Sequence, residues 1–332
     1  MADIIALVGS DSLLGKEIRE VFGESALGER LRLVAADEEE TGKLTEIGGA
    51  PAFVTGLSAD ALEDAAIVLL AGTTEAARKA VGVSPDAIFI DLTGALEDEV
   101  AARVRAPLAE DPDFNPNSSS ILVVAHPAAT AIALLLRQLH GTHPIRRSVA
   151  QVFEPASERG KAGIGELQQQ TINMLSFRPM PKEVFGLQLG FAMISKLGED
   201  AIPQLSSIEE RIEKHLATLL NRTESEGAGA VPMPSLRVIQ APVFHGYSIS
   251  LWIEFEECPS VSDVEEALTA EGIEVRGEGV EPPDNIGIAG QSGIAVGSIS
   301  ADRNNGDAVW IWMVADNLRL SAENARRLVQ EL

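Results

Sequence analysis

Short apolar runs alternate with amphipathic stretches through the first third of the chain. The run Ile4–Val8 ends at Gly9, and an amphipathic stretch, Leu14–Phe22, follows it. A short apolar run bounded by turn residues is typical of a buried parallel strand. Further runs predict strands at Leu31–Ala35, Ile67–Ala71, Ala87–Leu92 and Ile121–Ala125. Because helix-like stretches separate several of these runs, the pattern predicts an α/β fold with a doubly wound, Rossmann-type parallel sheet.

The rest of the chain mixes strand and helix patterns differently. Strands are predicted at Ser148–Phe153, Leu236–Gln240, Tyr247–Phe255, Gly293–Ile299 and Ala308–Val314. Helices are predicted at Gly160–Leu175, Ser207–Asn221 with a serine at its start, near Val261–Glu271, and at Asn317–Gln330. The stretch Thr223–Ala230 is rich in small and polar residues and is predicted to be a flexible connection. Strands with helices on one face predict an α+β domain.

Composition and charge exclude several classes of partner. The chain has 332 residues, which suits two domains, and a formal net charge of −24. Nucleic acids and anionic lipids bind cationic surfaces, so neither nucleic acid nor membrane is an expected partner. The longest apolar run, around Ile121–Leu136, is interrupted by His126 and Pro127, so we expect no transmembrane helix.

Cysteine usage and the N-terminal residues bear on the compartment. Cys258 is the single cysteine and excludes an internal disulfide. The first ten residues have no basic region and no cleavage site of a secretory signal. We therefore expect a cytoplasmic protein.

A glycine-rich turn follows the first predicted strand. Gly9 and Gly15 enclose five residues between a strand and a helix, where backbone N–H groups can bind a pyrophosphate. Gly9, Ser10 and Gly15 are therefore candidate cofactor-binding residues. However, Ser12 replaces the middle glycine, and Asp11 places a carboxylate where a phosphate would lie. The alternative is that the glycines serve only the tight turn and the packing of helix on strand.

Four acidic residues, Asp37–Glu40, follow the second predicted strand. An acid at the end of this strand can accept a hydrogen bond from a ribose 2′-hydroxyl, whereas four carboxylates repel a 2′-phosphate. NAD is thus a candidate cofactor and NADP is disfavoured. The alternative is that the run is a solvated loop.

Four segments resemble the aspartate-semialdehyde dehydrogenase family, in the right order and over nearly the whole chain. Ser157–Gln170, which begins SERGKAG, resembles the family's S-G-A-G-K-A-G segment and the helix after it. Ala241–Ser248 resembles the family's R-V-P-V-x-x-G-H-S strand and turn. Ile90–Leu96 resembles I-D-N-S-S-A-F, and Ala315–Leu332 resembles the closing helix. Ile90–Leu96 and Ile239–Gly246 most resemble the Usg-type homologues of the family, which lack an intact active site.

The resemblance implies a domain organisation and an assembly. It implies a dinucleotide-binding-like domain formed by residues 1–130 and 314–332, with the terminal helix returning to it. Residues 131–313 would form a dimerisation domain. We therefore expect a homodimer.

Two segments compete for the position of the family's nucleophilic cysteine. Asn115–Ser119 matches N-P-N-C-S-T better by letters and places Ser118 at the cysteine, but no strand precedes it. Val124–Thr130 has a predicted strand before it and a helix after it, and there Ala129 replaces the cysteine. Neither segment has a thiol, and an acyl-thioester mechanism needs a thiolate.

The resemblance also places three further catalytic roles. The glutamine that orients the acyl intermediate falls on Glu154, and the arginine that grips the substrate carboxylate falls on Gln240. The histidine acid/base falls on Tyr247, a poor proton shuttle near neutral pH at its reference pKa of about 10. His245 lies two residues earlier and would share the face of Tyr247 if both were on a strand.

Substrate and cofactor contacts of the family are kept only in part. Glu209 matches the glutamate that receives the substrate ammonium, but its lysine partner becomes Ile212. The phosphate-binding arginine becomes Glu97. Asn317, which touches the nicotinamide amide in the family, is kept and is a fourth candidate cofactor-binding residue.

These joint losses predict a homologue without the family's catalytic residues, acting as a binding or scaffold protein for an unknown protein or small molecule. The alternative is an NAD-dependent oxidoreductase acting on an aldehyde or oxo group with relocated catalytic residues. His126, Glu154, Ser157, His245 and Tyr247 are the candidates for such a new site, as a nucleophilic set or, for the histidines and Glu154, as metal ligands. We expect no metal, and polar residues of a vestigial cleft are the alternative explanation.

Overall fold

A computed structural model describes residues 4–84, 86–110, 119–221 and 230–332. Two compact units are seen, one comprising Met1–Ala125 and Leu318–Leu332 and the other His126–Asn317. Two sequence predictions fall almost wholly outside the described residues. These are the flexible connection at Thr223–Ala230, of which only Ala230 is described, and the segment Asn115–Ser119, of which only Ser119 is described.

The first unit is built on an eight-stranded sheet in which every pair is parallel except β3–β4. The strand order β3-β4-β2-β1-β5-β6-β8-β7 places neighbours on both sides of β1, which confirms the doubly wound prediction. Its strands are β1 (Ile4–Val8), β2 (Leu31–Val34), β3 (Leu44–Ile47), β4 (Ala50–Thr55), β5 (Ala65–Leu70), β6 (Ile88–Asp91), β7 (Ala102–Arg105) and β8 (Ile121–Val124).

Helices pack against both faces of the sheet in the first unit, where the apolar side chains form two separate core clusters. The last helix contributes apolar side chains to the core that β1 and the first helix form in the first unit, so the prediction of a returning terminal helix is confirmed. The α-helices of the described residues are α1 (Leu13–Gly23), α2 (Ala59–Leu62), α3 (Thr74–Val83), α4 (Pro127–Thr142), α5 (Gly160–Leu175), α6 (Leu205–Leu220), α7 (Val261–Ala267) and α8 (Asn317–Glu331).

The second unit is built on a mixed six-stranded sheet. Its central pairs are antiparallel and its outermost pairs are parallel, in the order β10-β9-β11-β14-β13-β12. Ile249, Leu251 and Ile253 are fully buried, so one face of the sheet forms the core of the unit. The strands are β9 (Ile145–Glu154), β10 (Ser235–Gln240), β11 (Tyr247–Phe255), β12 (Ile273–Arg276), β13 (Ile294–Ala301) and β14 (Ala308–Ala315).

Several predicted boundaries were wrong for identifiable reasons. Helix α6 begins at Leu205 after Gln204, so the serine expected at its start lies within its first turn and does not cap it. Helix α7 ends at Ala267, before the predicted Glu271, and a capping box of Ser260 and Asp263 starts it. The hairpin β3–β4 and the strands β7 and β12 were missed because they are short and half-exposed, without a sustained apolar pattern.

No helix in the described part of the chain is long and apolar enough to cross a bilayer.

A buried carboxylate closes the loop that follows β6. Asp91 accepts hydrogen bonds from the backbone N–H groups of Thr93 at 2.8 Å, Gly94 at 3.2 Å and Leu96 at 2.8 Å, and from the Thr93 hydroxyl. Its side chain is fully buried. Several N–H donors offset the cost of removing this carboxylate from water. The aspartate in the segment Ile90–Leu96 therefore has a structural role.

We predict that Asp91→Ala destabilises the protein by about 2–4 kcal/mol, because three backbone donors lose their acceptor in a buried loop. Asp91→Asn should cost less, since one of its side-chain oxygens remains. Urea unfolding checks both variants. The exposed Asp86→Ala is the matched control, and an Asp91→Ala midpoint equal to that of the control would contradict the prediction.

Candidate functional site

The start of α4 has the expected context of strand and helix. Strand β8 precedes it, His126 is its N-cap and accepts a hydrogen bond from the Ala128 N–H at 3.3 Å, and Pro127 occupies its first turn. Ala129 lies in this first turn with its methyl group fully buried. The position therefore carries neither a thiol nor any polar side chain.

A tight turn after β9 directs two charged side chains into the interior of the second unit. The Ala156 N–H donates to the Val243 carbonyl and the Ser157 N–H to the Phe244 carbonyl, which anchors the turn to the segment before β11. Gly160 follows with a positive φ of 63°, a conformation that favours glycine. The side chains of Glu158 and Arg159 lie between these two fixed points.

Arg159 is almost completely buried, with 4% of its side chain exposed. Its guanidinium lies 3.5 Å from Glu154 Oε1, donates from Nε to Gln240 Oε1 at 3.4 Å and from Nη1 to the Pro203 carbonyl at 3.1 Å. It also stacks 5.7 Å from the ring centre of Phe185. Carboxylate, amide, carbonyl and aromatic ring thus enclose this cation.

The Glu158 carboxyl contacts a second set of polar groups. Asn317 Nδ2 donates to Glu158 Oε1 at 2.7 Å, and His126 Nε2 lies 3.9 Å from Oε2. The Tyr247 hydroxyl also interacts with this carboxyl, outside conventional hydrogen-bond geometry. Asn317 Oδ1 in turn accepts from the Ser157 hydroxyl at 3.1 Å. One buried cluster therefore contains most of the side chains that the sequence proposed for the site.

Burial dominates the protonation of the two carboxyl groups. Burial raises the pKa of Glu154 to about 8, and the Arg159 guanidinium offsets only part of that effect. Although the pair has the separation of an ion pair, Glu154 is therefore largely protonated at neutral pH. Burial also raises the pKa of Glu158, against the opposing hydrogen bond from Asn317 and the positive charge of Arg211.

The two ring groups of the cluster are held uncharged. Burial, together with the charges of Arg211 and His215, lowers the pKa of His126 well below its usual range. Burial and the neighbouring carboxyls Glu158 and Glu154 raise the pKa of Tyr247 well above its usual range. Neither group can exchange a proton readily near neutral pH, which general acid–base catalysis requires.

Helix α6 contributes residues that sequence reasoning missed. Arg211 acts electrostatically on His126, Glu158 and Tyr247, and His215 Nδ1 accepts the His126 backbone N–H at 2.8 Å. Arg211 and His215 are four residues apart and share one helix face, a spacing that could have revealed them. Glu209 instead accepts the Val238 N–H at 2.8 Å and holds α6 to β10.

The expectation that His245 shares a strand face with Tyr247 was wrong. Strand β11 begins at Tyr247, and His245 lies in the preceding turn, next to Gly246 with a φ of 80°. The His245 carbonyl accepts from Asn285. Among the described residues, no group of three or more His, Cys, Asp or Glu side chains is arranged to hold a metal ion.

The glycine-rich turn of the first unit is closed by its own side chains. The Ser12 hydroxyl accepts the Gly15 N–H at 2.8 Å, which caps α1, and donates to the Ala71 carbonyl at 2.7 Å. Gly9 has a φ of 84° and packs so closely on Gly72 that a Cβ would lie 2.3 Å from its backbone. The turn fits both cofactor binding and a purely structural role for its glycines. One N–H at the helix start, however, already has a protein acceptor.

Acidic side chains lie within this turn and in the segment after β2. Asp11 pairs with Lys43 at 3.4 Å and with Arg19 at 4.0 Å, so its carboxylate is held in place. Asp37, Glu38 and Glu39 are exposed to solvent.

Cys258 lies between β11 and α7, and its thiol contacts the Pro259 carbonyl at 3.5 Å. Burial and the charge of Asp307 raise the pKa of this thiol, which lowers the fraction of reactive thiolate.

A doubly wound parallel sheet and a mixed sheet carrying a buried polar cluster define a two-domain α/β protein. Residues 136–320 match the family model described as semialdehyde dehydrogenase, dimerisation domain. This match covers more than half of the chain, so the chain belongs to the semialdehyde dehydrogenase family.

Full-length relatives agree with this assignment. The chain is 28% identical to a USG-1 protein homolog of Pseudomonas aeruginosa, over 99% of this chain and 96% of that protein. It is also 28% identical to an aspartate-semialdehyde dehydrogenase of Prochlorococcus marinus, over 96% and 92% of the two chains.

Among solved structures, a probable aspartate-semialdehyde dehydrogenase from Pseudomonas aeruginosa is similar with a TM-score of 0.84 and 26% identity, over 99% of this chain and 97% of that one. Aspartate semialdehyde dehydrogenase II of Vibrio cholerae, in complex with ASA, shares the fold with a TM-score of 0.81 at 21% identity, over 99% and 98%.

We predict that Glu154→Gln becomes progressively more stable than the wild type as the pH rises from about 4.5 to about 8. In this window the folded wild type keeps a proton on Glu154 that the unfolded chain releases, so wild-type stability falls with rising pH, whereas Gln has no proton to lose. The relative gain should be on the order of 2–4 kcal/mol.

Urea unfolding at several pH values across this window measures the difference. The exposed Glu183→Gln controls for the loss of one acidic group. If the two variants depend on pH in the same way, Glu154 is not the buried neutral carboxyl described here.

Proposed function

We propose that this member of the semialdehyde dehydrogenase family has lost the family's catalytic residues and acts as a homodimeric binding or scaffold protein. One observation carries the proposal: the helix that starts after β8 bears the buried methyl group of Ala129 where the resemblance expects a nucleophilic thiolate. A thioester route cannot run without its nucleophile.

The remaining polar groups support the same proposal. Gln240 donates its amide to the Glu154 carbonyl at 2.8 Å, so it serves the backbone of β9 and carries no charge to hold a substrate carboxylate. Tyr247 resists ionisation because it is buried beside two carboxyl groups. Neither side chain replaces the arginine or the histidine that the resemblance places at these positions.

The alternative, an NAD-dependent oxidoreductase with relocated catalytic residues, rests on the turn between β1 and α1. The Ser12 cap and the fixed carboxylate of Asp11 disfavour a pyrophosphate there, and the exposed acids after β2 disfavour a 2′-phosphate still more. Calorimetric titration with NAD and NADP, followed by a search for turnover, separates the alternative from the proposal.

Aromatic residues on the outer face of the mixed sheet support the homodimer. All three tryptophans of the chain lie on it: Trp252 pairs across the strands with Trp310, and Trp312 lies beside Phe153 with ring centres 6.1 Å apart. Trp310 remains 39% exposed and Val149, opposite Trp252, 37% exposed. Aromatic residues of this kind are enriched at the centres of protein interfaces. We assign this face to a second copy of the chain, because the matched family model is a dimerisation domain.

We predict no aspartate-semialdehyde dehydrogenase activity in either direction, because no thiol is placed to form the acyl-enzyme. The assay combines semialdehyde, phosphate or arsenate, and each cofactor. Ala129→Cys alone should give no useful rate. Gln240 has no positive charge to bind the substrate carboxylate, and Tyr247 cannot act as the acid/base. Turnover by the wild type well above a blank without protein, and kept in Cys258→Ala, would refute the proposed function.

We predict that light scattering at micromolar concentration and moderate salt gives twice the 35.2 kDa of one chain. Trp310→Glu should weaken the dimer roughly 30-fold or more, because it buries a charge at the centre of the face. Dissociation should also shift the tryptophan emission to longer wavelength, since every tryptophan reports on this surface. Val100→Glu, at an exposed apolar position of the other unit, is the control. A wild-type mass of one chain would refute the dimer.

A further inference from the structure

Two adjacent residues distinguish the turn after β9 from the motif it resembles. The motif S-G-A-G-K-A-G has glycine and alanine at its second and third positions, whereas this chain has Glu158 and Arg159 between Ser157 and Gly160. The motif therefore leaves space where this chain has a carboxylate and a guanidinium.

These two side chains contact the positions that the resemblance equates with site residues. Arg159 binds Glu154 and Gln240. Glu158 binds Asn317 and interacts with Tyr247. The contacts of Arg159 and those of Glu158 are made without a ligand. Both residues belong to the one dipeptide Glu158–Arg159.

Burial makes this arrangement hard to displace. Arg159 has 4% of its side chain exposed and Glu158 has 21%. A small molecule entering the cluster would have to break the contacts of Arg159 with a carboxyl, an amide and a carbonyl, and would leave the displaced cation to find other partners. Leaving such a buried charge unpaired is strongly unfavourable.

The backbone of the turn does not need these side chains. It is held by the N–H groups of Ala156 and Ser157, by the positive φ of Gly160, and by Gly163, whose absent Cβ would lie 2.3 Å from the Ala156 carbonyl oxygen. Removing the two side chains should therefore leave the turn in place and create an empty space.

We propose that the Glu158–Arg159 dipeptide is an internal occupant of the family's site in the second unit and closes the cluster to external small molecules. The proposal rests on the proposed non-catalytic function and deepens it, since it names the contact that closes this site. Binding by this protein then takes place elsewhere on its surface.

The test restores the motif with Glu158→Gly/Arg159→Ala and uses Tyr247 as the reporter, because it is the only tyrosine of the chain. In the wild type, tyrosinate absorbance should rise only at the pH at which the protein unfolds. In the folded double variant, Tyr247 should titrate near its reference pKa of about 10, because the Glu158 carboxyl is gone and water reaches the hydroxyl. Glu158→Gln removes the charge and keeps the volume, so Tyr247 should stay protected in that variant if exclusion of water dominates. Circular dichroism at each pH confirms that the fold persists.

A matched double variant, Lys182→Ala/Glu183→Gly, removes an adjacent pair of opposite charges from exposed positions of the same unit. It should titrate as the wild type does. The proposal is overturned if Tyr247 of the folded motif-restoring variant stays as protected as in the wild type, or if the wild type itself titrates near pH 10.

A second measurement does not require the double variant to fold. Arg159→Ala should lower the unfolding temperature by several degrees, and roughly millimolar methylguanidinium should restore part of that loss by filling the vacated space. Sodium chloride at equal ionic strength should not, and the wild type should not respond. An unchanged unfolding temperature in Arg159→Ala, or equal effects of the two salts, would overturn the proposal.

The outcomes separate this proposal from the proposed function. Wild-type turnover of a semialdehyde refutes the non-catalytic function, whereas the titration of Tyr247 and the methylguanidinium response decide whether the dipeptide closes the site.

Discussion

The need to satisfy polar groups buried at the ends of three strands governs the second unit. Glu154 ends β9, Gln240 ends β10 and Tyr247 begins β11, and all three are fully buried. Buried polar groups are costly unless they find partners. The chain meets this constraint in part with Arg159, which contacts the side chains of Glu154 and Gln240, and burial raises the pKa of Glu154 to about 8. Arg159 thus occupies Glu154 Oε1 and the Gln240 amide oxygen, whereas Glu154 Oε2 and the Tyr247 hydroxyl have no hydrogen-bond partner of conventional geometry.

The same constraint closes the first unit's glycine-rich turn. A helix start presents unsatisfied N–H groups that can bind a phosphate. Here the Ser12 hydroxyl takes one of them, and the close packing of Gly9 on Gly72 explains why glycine is needed at that position. The glycine-rich motif can therefore be retained for packing alone, and its sequence is weak evidence for a bound cofactor.

The polar groups of the second unit are clustered in its interior, whereas part of its apolar surface lies on the outer face of the mixed sheet. The inner face of the mixed sheet is fully buried, while its outer face presents Trp252, Trp310 and Trp312. Trp310 is exposed and the other two tryptophans are partly buried. An exposed tryptophan is costly in an isolated subunit and favourable in an interface. A family member that has lost its reaction can keep this surface, since assembly depends on apolar area and needs no nucleophile. The proposed scaffold function follows from that separation of assembly and chemistry.

The sequence by itself determined the alternation of strands and helices, the α/β class and the absence of a thiol at Ala129. These properties are local, because each depends on the periodicity or identity of neighbouring residues. It did not determine that Glu158 and Arg159 enter the cluster, that Arg211 and His215 face it from α6, or that His245 stands apart in a turn. Those outcomes depend on contacts between residues far apart in the chain, such as Glu158 with Asn317 and His126 with His215. Only the tertiary structure brings these residues together, because strand register and helix rotation decide which side chains share one buried volume.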